Sequence, residues 1–120
     1  MTPALVLALG IALTPAQQGF EDAKATYAAD VAVMREAFVA WQADPWAITV
    51  LEASIDRAIV DWQAIDPEPC FQTWYSLRYV SLLGLVDAAV GMRGGAMTPL
   101  ASAAGHISEL ADRAEASVEC

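Results

Sequence analysis

The chain has 120 residues, enough for one domain with one core, and its formal charge is −9, with fifteen Asp and Glu against six Lys and Arg. That balance argues against nucleic acid and against an anionic bilayer surface, both of which require a basic face. Hydrophobic residues make up 57% and mean hydropathy is +0.40; Ala is abundant while Val and Ile are scattered, a composition that favours helix over strand.

The first twenty residues carry no charged side chain, and residues 4–13 are apolar. A membrane span needs about twenty apolar residues, so this run is too short. It matches the core of a signal peptide followed by a small-residue cleavage site, Thr14-Pro15-Ala16. Cleavage after Ala16 makes residues 1–16 a signal peptide and 17–120 a single helical-bundle domain. No Lys or Arg precedes the apolar run, and Thr14, Pro15 and Gln17 also read as a capping box with proline at the first helical position. In that second reading Thr14 starts the first helix. No Cys precedes Cys70, so no lipoprotein anchor is expected, and the mature form is expected to carry no stable membrane anchor.

Three dipeptides, Asp44-Pro45, Asp66-Pro67 and Thr98-Pro99, each put a capping oxygen before a proline. The side chain accepts from an orphan helix N–H, and proline lacks a donor where none is needed. They divide the chain into four helical segments, at residues 20–43, 45–65, 67–92 and 99–118. In the first, Tyr27, Val31, Met34, Phe38 and Trp41 draw one stripe at helical spacing, with Phe20 before them. Ile48, Leu51, Ile55, Ile59 and Trp62 do so in the second. The third is the least polar, with Arg78 and Asp87 its only charges between Phe71 and Gly91. In the fourth, Leu100, Ala104, Ile107, Leu110 or Ala111, Ala114 and Val118 line one face. Short connections between helices of similar length imply antiparallel neighbours, and the expected fold is an all-α, up-down-up-down four-helix bundle.

Cys70 falls in the first turn of the third segment and Cys120 ends the chain. The glycine loop Gly94-Gly95 lies about midway between them. If segments three and four are antiparallel, both cysteines reach one pole, and a Cys70–Cys120 disulfide is expected there. Two cysteines behind a signal-like N-terminus suit an oxidising compartment, secreted or periplasmic.

Candidate chemistry is sparse. Arg78 sits among Trp74, Tyr75 and Tyr79, where a guanidinium over aromatic faces is able to hold an anionic ligand. The antiparallel register brings His106 near Leu82, so that His106 joins Arg78 in a speculative ligand site. The competing reading has Arg78 stacked on Trp74 and paired with a carboxylate for stability alone, and His106 at the solvent boundary. One histidine builds no typical zinc or di-iron site, so no metal site is expected. A His–Met haem would need Met34, Met92 or Met97 beside His106, and no C-x-x-C-H motif is present. No nucleophile–base pair or phosphate loop can be assembled. Glu52 and Asp56, one turn apart, suit a solvated face. Trp41 and Trp46 flank the first interhelical turn, where an exposed indole would mark a partner surface and a buried one would close the core end.

The expectation is a small exported, non-catalytic helical bundle, stapled by one disulfide, that binds a protein or a small ligand and needs no cofactor. The alternative is a bundle that binds a haem-type cofactor or a small anion.

Overall fold

The structure, a computed structural model, describes residues 12–94 and 99–120, the side chains of 94 and 99–101 excepted. Four α-helices and no strand are found among them: α1 Pro15–Ala43, α2 Ile48–Gln63, α3 Gln72–Gly94 and α4 Pro99–Ala116. Residues 1–11, the bulk of the signal-like segment, and Thr98 with the glycine loop at Gly95 lie outside the described residues.

Helix α1 starts five residues before Phe20, because the capping box forms. Thr14 Oγ1 accepts from the Gln17 amide at 3.2 Å, and Gln17 Oε1 accepts from the Thr14 amide at 2.9 Å. Asp44 ends α1 and caps the next element, its carboxylate accepting from the Trp46 amide at 3.0 Å. That element is a single 3₁₀ turn, Pro45–Ala47, which leads into α2. The expected cap at Asp66 does not form. The helical chain begins instead with a 3₁₀ turn, Pro69–Phe71, after Glu68, which offers no side-chain cap. A second proline explains the shift: Glu68 precedes Pro69 and is pushed out of the helical region, so no helix can start at Pro67 and pass through it.

The helices run up, down, up and down. α3 and α4 pack most extensively, followed by α1 with α2, and α2 with α3. α4 buries Ala104 and Ala111 completely enough (9% and 0% exposed) to permit its close approach to α3. One pole collects the start of α1, the end of α2, the start of α3 and the chain end. There the Cys70–Cys120 disulfide closes, with Cα atoms 5.4 Å apart. Above it lies an aromatic plug. Trp62, Phe71 and Trp74 are buried, and Phe20, Tyr27 and Tyr75 pack against them in edge-on, tilted or stacked contacts between 5.0 and 6.1 Å.

Across the α1–α2 seam, Asp30 faces Asp61, which also receives Arg57 Nε at 3.1 Å. Burial, then the shared hydrogen bond and charge of Asp61, push the Asp30 carboxyl up to about 6, with Arg57 opposing. A carboxyl raised on folding contributes stability that is whole below its unfolded value, near 3.8, and is lost as pH rises through 6. D30N is therefore expected to melt higher than the parent at pH 7.5. Its advantage should shrink steadily as the pH is lowered to 4. Melting curves of both proteins across that range, if parallel, would remove this contact as a source of pH dependence.

Candidate functional site

The residues singled out around Arg78 are brought together with one exception. Arg78 is 5% exposed, its guanidinium 4.6 Å from the centre of the Tyr27 ring on α1. Tyr27, not the expected Trp74, is thus its aromatic partner. Its Nη2 donates to Asp112 at 2.7 Å and lies 3.6 Å from Glu115, both on α4. Trp74 is buried beside it, and neither Trp74 Nε1 nor Arg78 Nε has an acceptor. Tyr75 and Tyr79 lie on the adjoining face. Tyr75 donates to the Trp62 carbonyl at 2.8 Å, Trp62 Nε1 donates back to the Tyr75 carbonyl at 3.0 Å, and Tyr79 accepts from Gln63 at 2.7 Å. Burial raises the Tyr27 phenol above its ordinary value against the opposing charge of Arg78; burial also raises Tyr75, with Tyr79 and Asp66 adding to it. Both phenols therefore remain neutral at physiological pH.

His106 is the exception. The register is as expected, since Arg78 reaches Asp112 and the two helices are antiparallel. His106, however, lies six residues from Asp112, about 9 Å along α4, and is exposed.

The Arg78 cluster joins α1, α3 and α4 by neutralising a buried cation, and its response to mutation should be lopsided. Removing the carboxylates in D112N/E115Q strands the guanidinium and is expected to cost roughly 3 kcal/mol. Removing the guanidinium in R78M leaves two carboxylates that reach water, Asp112 being 67% exposed, at an expected cost of about 1 kcal/mol. Denaturant melts of the two variants give the comparison; equal losses would contradict this assignment.

The other half of the bundle is open. Between α1 and α4 runs a groove of about 380 Å³, floored by the buried Met34, Leu51, Ile55 and Ala89. Such a volume is in the usual range for a small-molecule site, about 300–1,000 Å³. Its α1 wall is the expected stripe, Tyr27, Val31, Met34 and Phe38, and the stripe is not sealed: Phe38 is 39% exposed. The opening has a sequence cause. Facing these long side chains are Ala88 on α3 and Ala104, Gly105 and Ser108 on α4, all short. A Cβ added at Gly105 would meet nothing within 4 Å. Met34 and Met92 line the groove but His106 does not, so no His–Met pair is assembled there.

At the far pole, Trp46 is 88% exposed, whereas Trp41 is half-buried and tilts against Phe38 at 5.7 Å. The hollow around Trp46, about 490 Å³, lies between Trp41, Pro45, Ile48, Thr49, Met92 and Arg93, and none of its lining residues is buried in the core. Glu52, expected on a solvated face with Asp56, is engaged by Arg93 of α3. Among the described residues no group of three His, Cys, Asp or Glu is placed to hold a metal ion, and no helix is long and apolar enough to cross a membrane.

Compared with known proteins, the chain matches no family model, and neither a curated protein nor a solved structure matches it.

Proposed function

We propose that this chain is an exported, non-catalytic binding domain and that it holds a small apolar molecule in the groove between α1 and α4. The groove carries the reading: a walled apolar channel over the core, kept open by short side chains on α3 and α4. Ordinary bundles close this space, because uncovered apolar surface costs about 25 cal/mol per Å². The disulfide supports export, since such bridges persist in oxidising compartments. The signal-like residues 1–16 support it as well. Their removal would take away the Thr14 cap but leave every core residue of α1, the first of which are Phe20 and Ala23.

The test is calorimetric titration with decanol, an uncharged aliphatic probe, against the parent and G105L. A Cβ at this position meets nothing within 4 Å, so a leucine side chain has room to start there and is expected to narrow the groove. It also replaces a mid-helix glycine, worth up to about 1 kcal/mol of helix propensity. The expected result is decanol binding by the parent, its loss in G105L, and a higher melting temperature for G105L. Lack of decanol binding by the parent would remove the reading.

A further inference from the structure

Charge at the groove names its ligand more closely. The chain has six Lys and Arg residues. Four are committed to ion pairs: Lys24 with Glu21, Arg57 with Asp61, Arg78 with Asp112 and Glu115, and Arg93 with Glu52. Arg35 and Arg113 form no ion pair among the described residues. Of these two, Arg35 alone lines the groove, and no other lining residue carries a charge. It stands on α1 next to Met34 and one turn before Phe38, its side chain exposed at the rim. An unpaired guanidinium beside an apolar channel, in a chain of net charge −9, is the one local attraction for an anion there.

Resting on the groove reading above, we propose that the ligand is a free straight-chain aliphatic carboxylate, its chain laid over Met34, Ile55, Leu85 and Ala89 and its head on Arg35. The shape fits a single chain. The stretch of α1 from Tyr27 to Phe38 that forms the wall is about 16 Å long. The volume of about 380 Å³ is sufficient for one medium-length acyl chain. A single cation matches a single carboxylate. Guanidinium offers that head a planar pair of donors, while the acidic remainder of the surface disfavours any second negative group on the ligand. The two serine hydroxyls on the lining, Ser81 and Ser108, are uncharged and able to accommodate either a chain or a water.

The test uses the whole disulfide-bonded chain and two probes that differ only at the head, decanoate and decanol, titrated calorimetrically at neutral pH and low salt. Decanoate is expected to bind roughly tenfold more tightly than decanol, the value of a charge-assisted hydrogen bond at a partly solvated site. That lead should diminish as salt is added, because the head group is exposed to screening. In R35Q the two probes should converge. Equal affinity in the parent would overturn the carboxylate assignment while leaving the apolar groove intact. A preference for decanoate that survives in R35Q would overturn Arg35 as the head site. Absence of binding by both probes would overturn the groove reading with it. Sedimentation of the ligand-free chain as a dimer, together with absence of binding, would give the groove to a second copy instead.

Discussion

Replacing Cys70 and Cys120 together by serine is expected to lower the unfolding free energy by about 4 kcal/mol, the chain-entropy value for a loop of 50 residues. The bridge fixes the chain end, beyond the last turn of α4, to the turn that starts α3. Without it, the residues beyond α4 are held to the aromatic pole by Val118 and the adjacent turn, while α4 itself keeps Ala114 on the core and its ion pairs to Arg78. Total stability of a domain this size is about 5–15 kcal/mol, so the loss is a large share of it. In a chain of 120 residues it corresponds to a fall in melting temperature on the order of 15 °C. Guanidinium melts of the serine variant, and of the parent with and without reductant, measure it. Helix content before the transition should be unchanged, since α3 and α4 keep their packing. A midpoint that does not move on reduction would show that the bridge constrains nothing the core does not already fix. A fall of the expected size would agree with a protein that matures where disulfides persist.

Trp62 is the second sensitive position. It is 1% exposed, stacks on Tyr75 at 5.1 Å with ring planes 11° apart, meets Tyr27 and Trp74 edge-on, and donates to the Tyr75 carbonyl. Tyr75 returns a bond to the Trp62 carbonyl, so the two residues tie the last turn of α2 to α3 from both sides. W62A removes the ring that three helices share and is expected to cost about 4 kcal/mol, at the upper part of the range for truncating a buried aromatic residue. W62F keeps most of the ring area and loses the N–H bond, with an expected cost of about 1–2 kcal/mol. Urea melts of both variants give the ratio. A loss in W62A no larger than in W62F would mean that the pole is held by the disulfide rather than by the aromatic plug.

How much of this was legible before the fold was known can be judged residue by residue. The stripes of α1 and α2 were clear because Met34, Leu51, Ile55 and Trp62 repeat at helical spacing, and each is buried. The Cys70–Cys120 bridge followed from antiparallel neighbours and equal spans on either side of the glycine loop. The cap at Asp44 was legible from its proline, but the one at Asp66 was misplaced because two prolines compete and the later one governs. Around Arg78 the aromatic surroundings were legible, yet the contact that matters is with Tyr27, more than forty residues away in sequence and supplied by another helix. His106 was legible as a residue at the edge of the α4 stripe, and it is exposed there.

The groove was the least legible feature. Spacing says which face of a helix is apolar; it does not say whether the face opposite is large enough to cover it. Ala104 fits a core stripe as well as leucine would, and Gly105 and Ser108 read as ordinary helix residues. Only the assembled bundle shows them opposite Val31, Met34 and Phe38 with space between. Asp30 and Asp61 belong to the same class, because their meeting depends on the rotation of α1 against α2.

The most direct test of the account is a ¹H–¹⁵N correlation spectrum of the isotope-labelled chain, recorded as decanol is added. The account predicts that amide shifts move at Val31, Met34, Phe38, Ala89 and Gly105 while those of the disulfide pole around Cys70 stay fixed. Shifts confined to the surroundings of Trp46, or a spectrum that does not change, would contradict the groove as the binding site.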